Sequence, residues 1–232
     1  MDGGFAEYAA VPGASAVRLP RSIPFRQGAI LGCAVSTAYH AMRRGRVKPE
    51  DNVVVIGVGG LGMHAVQLAK RIFHARNVIA LDRFDWKIKR AKEFGADHTV
   101  NVALHDAAQA VGRLTNGMLA DVVFNFVGSA QSNRLGLSCV GKGGRLVLVG
   151  IGVESMTIST YRTIIGRELE IIGVDDHLKT ELSGLAKLVE SGRLDLSHSV
   201  THTVPLEAIN DGFRILEDGE ERPIRVVVSN EN

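Results

Sequence analysis

Only two cysteines, Cys33 and Cys139, occur in the 232 residues, and their surroundings differ. That excludes a disulfide framework and makes a reducing compartment, the cytoplasm, the expected location. No run of about eighteen apolar residues exists, so no membrane-spanning helix is expected. The opening segment lacks the apolar stretch of a secretory leader. Charge of one sign is missing too: 27 Lys and Arg stand against 25 Asp and Glu, scattered along the chain, for a formal charge of +2. With no basic face implied, neither nucleic acid nor a membrane surface is an expected partner. The length suffices for one full core, or one domain plus a smaller piece.

Glycine is what the chain has in quantity, 26 residues of it, and the most informative glycines lie together. Val53-Val54-Val55-Ile56-Gly57-Val58-Gly59-Gly60-Leu61-Gly62 reads as a buried strand, a glycine turn and the start of a helix. Each glycine has a separate task in such a turn. Gly57 permits the sharp reversal, Gly59 lets the backbone approach a pyrophosphate, and Gly62 lets the helix lie close on the sheet. The unpaired N–H groups at the helix start, Gly60 and Leu61 among them, then face the phosphates. Asp82 ends a second apolar run twenty residues past Gly62, where one βαβ unit delivers a carboxylate to an adenine-ribose hydroxyl pair. An acid there repels the extra phosphate of NADP, so NAD is the expected cofactor. S-adenosylmethionine enzymes carry a similar turn, but the acidic residue they need in the strand ahead of Gly57 is absent.

The same alternation continues downstream. Helices are predicted for 61–72, 86–94, 107–114 and 132–140, and strands for 77–81, 98–102, 121–126, 145–149 and 170–174, with Gly141-Lys142-Gly143-Gly144 as a turn before the fifth strand. Strands joined through helices imply crossover connections, hence a doubly wound parallel α/β sheet of six strands, a Rossmann sheet. Both ends fit it poorly. Phe5 to Val11 reads as a short strand, a helix starts near Arg26, Pro205 to Leu216 is an amphipathic helix, and Ile224 to Ser229 is a strand. They look like edges of a second domain. The expected organisation is therefore 1–32 as a remnant of that domain with a linking helix, 33–175 as the dinucleotide-binding domain, and 176–232 as helices and a strand returning to the second domain.

Together these features resemble the zinc-type medium-chain alcohol dehydrogenases, along nearly the whole chain. The resemblance rests on Gly4-Phe5-Ala6-Glu7-Tyr8, Leu31-Gly32-Cys33-Ala34-Val35-Ser36-Thr37-Ala38-Tyr39, the glycine turn, Asp82, Lys92-Glu93-Phe94-Gly95-Ala96-Asp97, Gly143-Gly144-Arg145, Val149-Gly150 and Arg225. In that family a GroES-like catalytic domain comes first, and the resemblance implies that this chain begins at its last strands. It implies also that Cys33 is the third protein ligand of the catalytic zinc, the other two and the proton relay lying in the part not represented. A catalytic zinc needs three protein ligands and an open position. One cysteine does not supply them, so zinc is not expected to be retained here and the chain alone is expected to be inactive. The other reading of Cys33 is a small buried thiol; Cys139, on a helix against the sheet, is read that way too. Pairs drawn from the eight histidines, His98 with His105 or His198 with His202, are better read as solvated loop positions.

The resemblance further assigns cofactor contacts. Arg83 and Lys87 join Asp82 at the ribose or a phosphate, Arg225 pairs with the pyrophosphate, and Thr37 touches the nicotinamide. Phe126, Val127, Val149 and Ile151 lie at the carboxyl ends of the fourth and fifth strands, where nucleotides bind in open α/β sheets. The substrate would be a small alcohol or carbonyl compound. The apolar sixth strand, Glu168 to Gly173, implies a homodimer or tetramer built by pairing that edge with its copy. Two other functions stay open. A zinc-independent quinone or enoyl reductase of the same superfamily has no need of a thiol at Cys33 and favours NADPH. A dinucleotide-binding module without catalysis fits the lone zinc ligand. Short-chain dehydrogenases are excluded, because none of Tyr8, Tyr39 and Tyr161 has a lysine four residues on.

Overall fold

The structure is a computed structural model that describes residues 3–230. Its chain divides into two compact units: Thr37–His177 forms one, and the flanking segments, up to Ser36 and from Leu178, form the other.

In the first unit every residue of β1 (Asn52–Ile56) is buried. The reason is its place at the middle of a six-stranded sheet, between β2 (Asn77–Asp82) and β4 (Ala120–Asn125). Outside β2 lies β3 (His98–Asn101), and outside β4 lie β5 (Val140–Leu148) and then β6 (Glu170–Gly173). All neighbours are parallel, as the continuous apolar runs require. The order 3-2-1-4-5-6 is the doubly wound arrangement read from the sequence. Helices α2 (Ser36–Arg44), α3 (Gly62–Arg71), α4 (Asp85–Glu93), α5 (Ala107–Leu114) and α6 (Ala130–Cys139) accompany the strands. Val54 and Ile56 of β1 enter one core with Ile79, Leu81, Val123 and Leu146, closed by Ala110 and Val111 of α5 and Cys139 of α6. Val53 and Val55 point to the opposite face, so the sheet is covered on both sides.

The amino-terminal end of the sheet is held by polar bonds. Arg145 pairs with Asp51 at 3.0 Å, and both side chains are nearly buried. Asp121 accepts from the Asn52 backbone N–H at 2.7 Å and from its side-chain amide at 3.1 Å. The carboxyl-terminal end is left for the site.

At two places the structure departs from what the sequence predicts. Residues 141–144 are not a turn: they lie within β5, where the pairing shifts from Ala120↔Val140 to Val122↔Arg145 as a bulge. Gly143 takes the left-handed backbone, φ +70°, and its N–H donates to the Arg167 carbonyl at 2.8 Å, so tertiary bonding keeps the bulged stretch within the strand although its composition signals a reversal. Residues 5–11 form no strand. They are exposed and have no ladder partner, and an unpaired strand does not persist on propensity alone.

The second unit opens with α1 (Phe25–Ile30), which passes into a π turn at Leu31–Val35. After α7 (Lys179–Glu190), β7 (His202–Pro205) pairs in parallel with β8 (Val226–Ser229). The amphipathic segment between them begins as a 3₁₀ turn at Leu206–Ala208 and continues as α8 (Ile209–Asp218). Gly219 ends it in the left-handed conformation, φ 65°, a usual helix stop. Among the described residues no helix is long and apolar enough to cross a membrane.

Candidate functional site

The glycine turn joins β1 to α3 at the carboxyl-terminal end of the sheet. Gly57 has φ +84°, and a Cβ there would lie 2.5 Å from Val127 Cγ2. A Cβ on Gly62 would lie 2.0 Å from the Gly57 carbonyl oxygen, so the strand end and helix start are in backbone contact. Gly59 is different: a Cβ there meets nothing within 4 Å. The turn thus closes on itself at Gly57 and Gly62 and opens outward at Gly59, toward a cavity.

That cavity has a volume of about 950 Å³, within the range of cofactor sites. Gly57, Gly59, Gly60, Leu61 and Gly62 form its floor, and Asp82, Arg83 and Lys87 form one wall. Phe126 and Val127 line the far side. In the first turn of α3 the Met63 and Ala65 N–H groups donate to the Gly59 and Leu61 carbonyls at 3.0 Å, and the positive end of the helix dipole lies at the turn ahead of them.

Asp82 is buried at the end of β2. Its Oδ2 accepts the Val58 N–H at 3.0 Å and its Oδ1 accepts the Phe84 N–H at 3.1 Å. The carboxylate therefore fixes the turn as well as facing the cavity. Two bonds leave further lone pairs, since a carboxylate has about four acceptor positions.

Several lining residues carry no motif that marks them in the sequence. Phe84 is the most informative. It is 41% exposed, with the Arg83 guanidinium carbon 4.7 Å and the Lys87 Nζ 5.0 Å from its ring centroid. Its signal was an aromatic residue directly after the Asp82-Arg83 pair, where burial does not call for one. Val102, Ala103, Ser129, Gln131, Ser132, Arg134, Leu135 and Ser138 also line the cavity, mostly from α6. A buried side chain behind them, Asn125, sets the backbone of Phe126 and Val127. It donates to Ser132 Oγ at 2.9 Å and Asn133 Oδ1 at 2.6 Å, and accepts the Val127 N–H at 3.0 Å.

Five of the residues singled out from the sequence lie elsewhere. The Val149 N–H donates to the Asn125 carbonyl at 3.0 Å, and Ile151 is 98% exposed; neither lines the cavity. Arg225 and Cys33 belong to the other unit, where they line a separate cavity of about 340 Å³ with Phe5, Leu206 and β8. Arg225 has Nε and Nη2 buried without a partner. Burial lowers its pKa from the ordinary arginine value, and charge on Cys33 works against that. Thr37 is buried in the first turn of α2, outside both cavities.

The donor set does not fit a zinc ion. Cys33 is an exposed, free thiol on the π turn. Among the described residues no group of three or more His, Cys, Asp or Glu side chains stands close enough to hold a metal. Cys139 is buried beside α5, and burial raises its thiol to about 11, which keeps it protonated and inert.

Comparisons with known proteins agree with this geometry. Residues 60–191 match a family model described as zinc-binding dehydrogenase. An alcohol dehydrogenase of Geobacillus stearothermophilus is 33% identical over 220 residues, covering 95% of this chain and 63% of its own length. The solved alcohol dehydrogenase of the archaeon Aeropyrum pernix is 36% identical with a TM-score of 0.84, over 95% of this chain and 63% of that one. A solved NAD-dependent alcohol dehydrogenase is 31% identical with a TM-score of 0.87, over 99% of this chain and 66% of that one. The chain thus spans less than two thirds of the length of the relatives it matches.

Proposed function

Because this chain belongs to the zinc-binding dehydrogenase family, we propose that it is the cofactor-binding portion of an NAD-dependent alcohol dehydrogenase, an oxidoreductase moving hydride between an alcohol and a nicotinamide. The observation that carries the reading is the cavity at the glycine turn, with Asp82 at its wall and the start of α3 at its floor. The NAD dependence printed for one structural relative supports it.

The residues divide the cofactor between them. The N–H groups of Gly60 and Leu61 bind the pyrophosphate, helped by the helix dipole. The remaining lone pairs of Asp82 accept from the adenine-ribose hydroxyls. Phe84, flanked by Arg83 and Lys87, gives a flat face for the adenine, and Lys87 reaches the ribose or a phosphate. Thr37, Val149 and Ile151 serve the nicotinamide side. When bound, NAD supplies the hydride acceptor; the protein supplies placement and exclusion of water.

Among the described residues no zinc ligand set is formed. The lone Cys33 favours a second statement: this chain by itself binds NAD without oxidising alcohols. Purified chain given NAD, added zinc and primary or secondary alcohols is expected to form no NADH above the blank. Turnover at an ordinary enzyme rate would overturn that statement. We place the protein in the cytoplasm, as its two free thiols suggest. We also propose assembly through β6, an edge strand whose Glu170 and Gly173 are exposed, by pairing with a second copy.

A further inference from the structure

Outside both cavities, three polar side chains converge at the carboxyl-terminal end of β6. The Thr37 hydroxyl donates to Asp176 Oδ1 at 3.2 Å, across 139 residues of sequence. The His177 Nδ1 lies 2.6 Å from the same oxygen, and against a carboxylate it is the donor. All three residues belong to the unit that carries the sheet.

Several features set this cluster apart from a chance surface contact. Thr37 is buried, and a threonine at a helix start ordinarily bonds to backbone of its own helix. Here its proton goes instead to a distant carboxylate. Asp176 takes a left-handed backbone conformation, φ +52°, which an aspartate tolerates and most residues do not. Two donors on one oxygen fix the rotation of the carboxylate. His177, with a side chain only 14% exposed, backs an aspartate whose own side chain is 62% exposed.

Position gives the cluster its meaning. In a doubly wound sheet the first three strands serve one nucleotide and the next three serve the other. The large cavity lies over the ends of β1, β2, β3 and β4. The chain leaves β6 with the Val174 N–H bonded to the Leu148 carbonyl, and Asp176 and His177 follow directly, over the second half. That half is the nicotinamide half under the function proposed above, on which this inference rests.

We propose that Asp176 is a positioning residue for the nicotinamide end of NAD: it commits the Thr37 proton, so that the Thr37 oxygen presents only lone pairs to the ligand, and His177 holds Asp176 in place. No bond is made or broken in this role.

NAD and ADP-ribose differ by the nicotinamide, so titrating the full chain with both separates the halves of the site. The variant D176G accepts the left-handed backbone and lacks the carboxylate; D176N accepts it and keeps an oxygen for Thr37. D176G is expected to weaken NAD about three- to tenfold, the span of one neutral hydrogen bond, with ADP-ribose within about twofold of the native chain. D176N is expected to stay within about twofold of the native chain for both ligands. Equal losses for the two ligands in D176G would make the cluster a structural clasp and overturn the inference. So would unchanged NAD affinity, or a D176N variant as weak as D176G. Native chain that binds neither ligand would overturn the proposed function first, and this inference with it.

Discussion

Replacing Gly62 with alanine is expected to unfold the turn and remove nucleotide binding together. The added Cβ would sit 2.0 Å from the Gly57 carbonyl oxygen and 2.9 Å from its carbon. Both are backbone atoms of the residue that ends β1, so no side chain can swing away. The helix must lift from the strand instead. Overpacking of ordinary cores costs about 1–3 kcal/mol, and a clash with backbone at this distance belongs at or above the top of that range. Lifting α3 also takes its N–H groups from the cavity floor, and NAD affinity is expected to fall by about a hundredfold or more, two factors of ten at about 1.4 kcal/mol each. Gly59→Ala supplies the contrast. Its Cβ meets no protein atom within 4 Å, so the thermal midpoint is expected to hold, while the methyl occupies space the phosphates use and NAD binding weakens. Thermal unfolding and calorimetric titration of the two variants read both effects. Equal behaviour of the two would show that the turn is not built as described.

Removing the Asp82 carboxylate is expected to produce the second large effect. In Asp82→Ala the Val58 N–H and the Phe84 N–H lose their acceptor. An abandoned buried donor costs about 1–3 kcal/mol, so the turn loosens even without ligand. The ribose hydroxyls lose an ionised acceptor, worth about 1.5–3 kcal/mol, which corresponds to a fall of roughly ten- to a hundredfold for NAD. NADP is expected to move in the other direction relative to NAD. Its extra phosphate no longer meets an anion, and Arg83 and Lys87, on the same wall, remain. The measurement is the ratio of NAD to NADP dissociation constants before and after substitution. An unchanged ratio would remove Asp82 from specificity and leave it as a strut of the turn.

The parts of the fold that the sequence made legible are those whose causes are local. Val53 to Gly62 declares strand, turn and helix because a doubly covered strand must be apolar throughout and the backbone contact at Gly62 admits no side chain. The continuous runs at 77–81, 121–126 and 145–149 announce parallel strands for the same reason. Legibility fails where distant groups decide. Residues 141–144 have turn composition, yet Arg167 holds them in β5. Residues 5–11 have strand composition, yet no neighbouring strand accepts them. The site shows the same contrast. Gly57, Gly59, Gly62 and Asp82 stand at a spacing set by one βαβ unit. The Asn125 network depends on bonds to α6, and the Thr37–Asp176–His177 cluster joins residues 139 positions apart, a pairing no local pattern encodes. Phe84 lies between, visible as an aromatic beside Asp82 but meaningful only once Arg83 and Lys87 are seen around its ring.

Under the proposed function this chain holds NAD in the cavity at the glycine turn, and Asp82 chooses it over NADP. Calorimetric titration of the native chain with each dinucleotide tests both statements. Saturable binding of one NAD per chain is expected, with NADP weaker by about tenfold or more, the effect of setting a phosphate against a carboxylate at about 1.4 kcal/mol per factor of ten. Absence of saturable NAD binding, or equal affinity for the two, would contradict that expectation.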